Sequence, residues 1–449
     1  MPTSIPVMLG PVPVDFILFA LVLAGIAIFQ RHTLRVALTG LAAITLYKVN
    51  FTGFRTGPGI EGLAALLGHE SVMLANLFLL LMGFALLSKH FEDSHAPLEL
   101  PKILPDDWKG GFLLLAMVFV LSSFLDNIAA ALIGGTVARA VFGSKVHIGY
   151  LAAIVAASNG GGSGSVVGDT TTTMMWIDGV DPRDVLEAFI ASGTALAIFG
   201  VVAARQQQAY SPIMKDVPGD TRIDYPRVGI VAFILAVAIV ANVIANMRYP
   251  EVLDSVPVIG LAVWAAILVT APLRAPDWTL LGPTFKGTAF LLSLVLAASM
   301  MPVETLPPAS WQTAFGLGVL SAVFDNIPLT ALALHQGGYD WGILAYAVGF
   351  GGSMIWFGSS AGVALTNAYP EARSVGSWLR HGWPVCLAYV VGFFVLLALH
   401  GWEPHEQRPR AHPAPGEKAA HASALRMLFT AMDVNAGALP SNVGKTTMR

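Results

Sequence analysis

SNGGGSGSVVGDTTTTMMW, residues 158–176, decides how this chain is to be read. The segments on either side are apolar and helix-length. Here a run of glycines, one carboxylate, four threonines and an asparagine fall at what hydropathy places at membrane depth. Irregular polar backbone survives at that depth only where protein buries it or it lines a wet cavity. A second copy, GFGGSMIWFGSSAGVA, occupies residues 349–364. When Gly161-Gly162-Ser163 is laid on Gly351-Gly352-Ser353, Gly168 falls on Gly358 without a gap. Each copy follows an Asp-Asn pair, Asp126-Asn127 in LSSFLDNIAAAL and Asp325-Asn326 in LSAVFDNIPLTAL. Two broken polar segments at matching places in two halves are the mark of a transporter built from repeats.

The totals agree. The chain is 55% hydrophobic and 12% charged, about half the charge of a soluble domain. Mean hydropathy is +0.67. A net charge of −3 gives no reason to expect a nucleic-acid partner. The single cysteine, Cys386, excludes an intrachain disulfide and a Cys-rich metal site. No Lys or Arg precedes the first apolar run, so that run lacks the basic start of a signal peptide and reads as a retained span.

Working outward, the spacing predicts an all-α polytopic membrane protein. Spans are expected at 14–29, 34–51 and 72–88, a hairpin of two half-length helices at 111–142, an interrupted span at 148–176 and another span at 185–204. The second half repeats the order: 228–247, 256–271 and 285–300, a hairpin at 313–335, an interrupted span at 341–369 and a last span at 384–400. The expected organisation is a first membrane repeat (1–204), a cytoplasmic linker (205–227), a second repeat (228–402) and a disordered Pro-, Ala- and His-rich tail (403–449). Five spans and one re-entrant hairpin per half make the repeats inverted, because an odd number of crossings turns the second half over. With the N-terminus outside, fifteen Lys and Arg residues fall on cytoplasmic segments and four (Lys48, Arg55, Arg183, Arg248) on outer ones before the tail. That is the bias the positive-inside rule asks for. The expected location is a bacterial inner membrane, with the lipid bilayer as partner.

An ionised carboxylate at mid-bilayer costs several kcal/mol unless a cation or donors compensate it. Asp126 and Asp325 must therefore take up a proton or hold a cation, and a group for which the two are close in free energy exchanges one for the other. Simple helix capping is the competing explanation of each Asp. Asp169 follows Gly168 where a helix can restart. At 3.6 residues per turn it shares a face with Thr172 and Thr173, so not all four threonines face one ion. In the second copy the positions of Asp169 and Thr170 hold Ser359 and Ser360. Gly160, Gly161, Gly162, Gly168, Gly351, Gly352 and Gly358 read as residues that break the backbone and let carbonyls approach an ion. Asp15, Glu70 and Glu304 lie at span ends, where a solvated position is expected. His405, His412 and His421 lack regular ligand spacing and read as part of a solvated tail.

FLDNIAAAL, ASNGGGSGSVVGDTTTTMMWI, VFDNIPLTA and GGSMIWFGSSAGVA resemble the NhaD-type Na+/H+ antiporters and, more widely, the ion transporter superfamily that holds arsenite and citrate permeases. The likeness covers the cores of both halves, roughly residues 10–400. It implies an antiporter, not an enzyme, that exports Na+ (or Li+) against protons and needs no cofactor beyond the transported ions. It also implies that Asp126, Asn127, Asn159, Asp169, Thr171, Thr172, Ser321, Asp325, Asn326, Ser359 and Ser360 carry ions or protons, with Asp126, Asp169 and Asp325 holding Na+. A homodimer is compatible with it. Two other readings stand beside this one. The same scaffold serves oxyanion or carboxylate permeases, but no Lys or Arg lies within either broken segment. An intramembrane aspartyl protease would use Asp126 and Asp169, but its loop wants Gly-x-Gly-Asp where this chain has Val166-Val167-Gly168-Asp169.

Overall fold

A chain this apolar must satisfy its backbone within itself, and it does so almost wholly in helices. The computed structural model describes residues 7–10, 12–29, 32–96, 104–213, 222–248, 252 and 255–405. Of the expected tail, residues 406–449 lie outside the described residues, as do 214–221 of the expected linker. A two-residue ribbon (Met8–Leu9 with Val12–Pro13) leads into α1 (Val14–Ile28), α2 (Thr33–Tyr47) and α3 (Gly59–Asp93). Then come α4 (Trp108–Ser122), α5 (Asn127–Val141), α6 (Ile148–Ser163), α7 (Thr170–Ile177), α8 (Pro182–Leu186) and α9 (Ala188–Tyr210). The second half holds α10 (Tyr225–Arg248), α11 (Val258–Thr270), α12 (Leu281–Ser299), α13 (Trp311–Ser321) and α14 (Asn326–Gln336). It ends with α15 (Trp341–Gly351), α16 (Ser360–Ala368) and α17 (Val375–His400).

Among the described residues, four helical stretches are long and apolar enough to cross a bilayer: Gly59–Asp93, Pro182–Tyr210, Trp278–Ser299 and Val375–His400. Shorter apolar helices include α4, α5 and α15, expected as half-length pieces, and also stretches of α1, α10 and α11, which the sequence predicts as full spans. The chain is a multi-pass membrane protein. Three boundaries differ from expectation by more than five residues, among them the start of α17, at Val375 rather than 384 with Pro384 inside the helix. α3 begins thirteen residues before the apolar run at 72–88, as a largely exposed helical stretch over 60–69 in which Gly62 and Leu66 are buried, followed by the buried Glu70. α9 continues to Tyr210, so part of the linker is helix.

Asp15 is not at a solvated span end. It is buried on α1, and its Oδ1 accepts from Lys48 Nζ at 3.0 Å and from Thr52 Oγ1 at 3.5 Å. Lys48 and Thr52 belong to a π-helical turn (Lys48–Thr52) that extends α2. Glu304, by contrast, is exposed as expected and pairs with Arg55. Breaking a buried pair strands the remaining charge, which typically costs 3–5 kcal/mol. Lys48→Met is therefore expected to lower the thermal unfolding temperature in detergent by several degrees, and Asp15→Asn added to it should recover most of the loss. A double variant no more stable than Lys48→Met would show that the pair is not the cause.

Away from the apolar spans, Asp224 accepts from Arg274 Nε at 3.0 Å and lies 3.5 Å from Arg227 Nε. The hydrogen bond from Arg274 holds its carboxyl below the ordinary range. Arg227 also reaches Asp93 and His90, which ties the end of α3 to the start of α10.

The packing is reciprocal between the halves. α4 lies on α6 as α13 lies on α15; α16 packs on α5 as α7 packs on α14; α2 packs on α12 as α11 packs on α3. Not every contact has its counterpart: α9 packs on α4 and α10 on α3 with no comparably close α17–α13 or α1–α12 approach among the described residues, and a further mismatch lies at the site. α14 packs along α12, whereas its counterparts α5 and α3 meet sparsely. A cavity of about 880 Å³ takes up the space between them.

Candidate functional site

The four places where a helix starts at depth are built alike. Asp126 caps α5, with Oδ2 accepting from Ile128 N at 3.1 Å, and Asp325 caps α14, with Oδ1 accepting from Ile327 N at 3.1 Å. The cap backbones match too: φ −52, ψ 138 at Asp126 and φ −53, ψ 140 at Asp325. Asp169 caps α7 through Thr171 N at 3.4 Å, and Ser359 caps α16 through Gly362 N at 3.3 Å. Capping, posed above as an alternative to ion binding, is thus present at both Asp-Asn pairs, and it leaves the carboxylates with further acceptor capacity.

The glycine run does not itself break the helix. α6 continues through Gly160, Gly161 and Gly162 to Ser163 and the irregular segment is 164–169; likewise α15 runs to Gly351 and the break follows. The reason is a close approach from outside the segment. A Cβ on Gly161 would overlap the carbonyl of Phe119, and one on Gly351 the carbonyl of Gly318. Similarly, a Cβ on Gly168 would run into Ser122 O and one on Gly358 into Ser321 O. α4 and α13 therefore lie backbone-to-backbone against α6 and α15 and the breaks that follow them. Ser122 Oγ donates to Ser158 O at 2.5 Å, and at the matching place Ser321 Oγ donates to Val348 O at 2.8 Å. The Ser321 hydroxyl proton is thereby committed to a helix-to-helix bond, which leaves its oxygen lone pairs as acceptors.

Asp169 is where the halves meet. Its Oδ1 accepts from Asn127 Nδ2 at 3.2 Å, and its Oδ2 from Thr171 Oγ1 at 2.9 Å and Asn326 Nδ2 at 3.4 Å. Asn159 Oδ1 accepts from Asn127 Nδ2 at 3.1 Å, while its Nδ2 donates to Ser353 Oγ and Ser359 Oγ, both at 3.0 Å. Seven positions singled out from sequence (Asn127, Asn159, Asp169, Thr171, Asn326, Ser359 and, through its cap, Asp126) thus lie in or beside one network. Asn127, Asn159, Asp169, Thr171, Asn326 and Ser359 are all buried. Every donor to Asp169 is neutral, so its charge has no cationic side chain beside it.

The remaining candidates stand apart. Thr172 Oγ1 donates to the carbonyls of Ser165 (2.6 Å) and Asp169 (3.0 Å), and Thr173 Oγ1 to those of Val166 and Asp169; both hydroxyls hold the break in shape. Asp325 Oδ2 accepts from Ser360 Oγ at 3.1 Å. Among the described residues no group of three or more His, Cys, Asp or Glu side chains is close enough to hold a metal ion, so the three aspartates do not form one three-carboxylate cluster. Ser353 and Thr170 are not among the residues the resemblance implies as ion carriers. Ser353 was visible as the partner of Ser163 in the repeat, and Thr170 as that of Ser360.

The cavity reaches this network. Its inner end is lined by Asp126, Asn127, Asp169, Thr170, Asn326 and Ser360, and its other end by Lys89, Glu92 and Asp93. Lys89 is 3.1 Å from both Glu92 and Asp93, which neutralise it. The site therefore presents carboxylate, amide and hydroxyl oxygens to water along one path, the ligand set a hard monovalent or divalent cation prefers.

No family model matches the chain. It is 28% identical over 162 residues to 4-hydroxybenzoate octaprenyltransferase of Ralstonia nicotianae, covering 32% of this chain and 56% of that one. It is 36% identical over 92 residues to the Na(+)/H(+) antiporter NhaD of Alkalimonas amylolytica, 19% of this chain and 18% of the antiporter. The broadest of these likenesses is to sodium/proton antiporter 1 of Arabidopsis thaliana, 25% identical over 454 residues that span 86% of this chain and 72% of the plant protein.

Proposed function

We propose that the protein is a secondary antiporter that moves Na+ (or Li+) outward against protons, by alternating access between two inverted repeats. The observation that carries this reading is Asp169. It is a buried carboxylate held only by neutral donors from both halves, and it lines a cavity together with Asp126. Such a group needs a counter-charge, and the two available from water are a metal cation and a proton. The reciprocal packing supports inverted repeats and re-entrant hairpins at 111–142 and 313–335. The likenesses to sodium/proton antiporters support the choice of ions.

In this reading the cavity faces the cytoplasm, since it is lined by Lys89 and α5 carries Arg139 in its last turn, close before Lys145, on segments the charge bias assigns to that side. The N-terminus is then outside. A cation enters beside Asp126 and Asp169, displaces a proton, and is released on the other face after α5 closes on α3 and α14 leaves α12. An anion carrier fits less well, because the one lysine lining the cavity is already paired with Glu92 and Asp93.

The test is reconstitution into liposomes carrying an internal pH dye. An external NaCl pulse should make the lumen alkaline as Na+ enters and H+ leaves, and choline chloride should not. Silence toward both Na+ and Li+ would remove the reading. Uptake of arsenite or citrate without a cation-driven pH change would replace it with the permease reading.

A further inference from the structure

Laying one half on the other pairs Thr170 with Ser360 and Asp126 with Asp325. The two pairs are not in the same state. Ser360 Oγ donates to Asp325 Oδ2 at 3.1 Å, and Asp325 is absent from the residues lining the cavity. Asp126 lines the cavity and receives bonds from backbone amides only; Thr170 lines it as well and makes no side-chain hydrogen bond among the described residues. The difference follows the packing. The made bond sits in the half where α14 is closed on α12, and the unmade one where α5 stands off α3.

We propose that Thr170 and Ser360 are positioning residues that work in alternation, each donating its hydroxyl to the aspartate of its own half when that half is closed and withdrawing when it opens. The inference rests on the alternating-access reading above and adds residues to it. The physical reason is symmetric. Asp126 and Asp325 are both part-buried, and the difference is the cavity: a carboxylate off it draws its donor from the protein, and one facing it obtains donors from water or holds an ion. In the state drawn here Ser360 serves Asp325 and Thr170 is idle. In the opposite state Thr170 serves Asp126 while Asp325 is bare. Each hydroxyl therefore stabilises one of the two states and not the other, and removing it shifts the balance in a direction fixed by which half it belongs to.

The sole cysteine makes this measurable. In a Cys386→Ser background, Leu132→Cys places a thiol on the cavity wall, and its rate of reaction with a water-soluble maleimide in detergent reports how often the cavity is open. Thr170→Val, which keeps shape and loses the hydroxyl, should favour the state with this cavity open. Ser360→Ala should favour the other. Because a hydrogen bond to a charged group is at stake in each, Thr170→Val is expected to label roughly tenfold faster than Ser360→Ala, with the parent between them. Equal rates, or the reverse order, overturn the proposal. Thr170→Ser and Ser360→Thr keep the hydroxyl and must label at the parent rate. They decide the matter if either first variant fails to fold, since a shift in them assigns the effect to packing. Neither Na+ nor a pH gradient enters the measurement. Opposed shifts without Na+-driven proton flux would sink the antiport reading and leave this one standing.

Discussion

Asp169→Asn is expected to reduce Na+-driven proton flux in proteoliposomes by roughly 100-fold or more while leaving the protein folded. The substitution keeps size and one acceptor but removes the charge and the titratable proton. Asp169 is bonded by both Asn127 of α5 and Asn326 of α14. Losing one partner of a desolvated charge pair costs about 3–5 kcal/mol, and each 1.4 kcal/mol is a factor of ten. The cation would lose that much affinity at the centre of its path. Asp169→Glu keeps the charge but lengthens the arm, so it should retain measurable flux with a raised half-saturating Na+ concentration. Flux within about threefold of the parent in Asp169→Asn, at the same reconstituted amount, would remove Asp169 as the carrier, because the arithmetic of a lost charge pair leaves no room for it.

Gly161→Val should fail earlier, at assembly. The position is inside α6, and a Cβ there would overlap the Phe119 carbonyl of α4. Nothing flexible is at hand to yield, because the obstacle is backbone. α4 would have to lift away from α6, taking the Ser122–Ser158 bond with it and moving the cap at Asp126 at the hairpin tip. Overpacking a close contact costs about 1–3 kcal/mol when side chains can adjust, and more when they cannot. The expected outcome is little monodisperse protein on gel filtration. Gly193→Val, on α9 where a Cβ meets nothing within 4 Å, is the control that should purify normally. Normal yield and flux for Gly161→Val would contradict the backbone-to-backbone contact.

How much of this was legible in the chain depends on how local the cause is. The breaks were legible, since Asp-Asn before a half-length apolar run and Gly168-Asp169 before the threonines are short-range capping signals. Their matched order in two halves was legible as well. What escaped comes from contacts distant in sequence. A glycine run reads locally as a break, but Gly160–Ser163 stays helical because α4 supplies the surface that needs those glycines. Asp15 and Lys48 are 33 residues apart, on different helices, and no periodicity announces that a π-helical turn brings them together. The resemblance implies Thr172 as an ion-carrying residue; that its hydroxyl donates to the Asp169 and Ser165 carbonyls, leaving only oxygen lone pairs for an ion, follows from the folded break. Thr170, the neighbour that lines the cavity, stood out only through its partner Ser360.

The crossing over of the short restart helices has a consequence of its own. Because α7 roofs α14 and α16 roofs α5, each half borrows the lid of its cradle from the other. A single repeat would be a bowl without a cover, and a damaging change in one half exposes the neighbour's polar tip rather than its own. Genetic suppressors of lesions in α5 should therefore map to α16, more than two hundred residues away along the chain, sooner than to the adjoining α7.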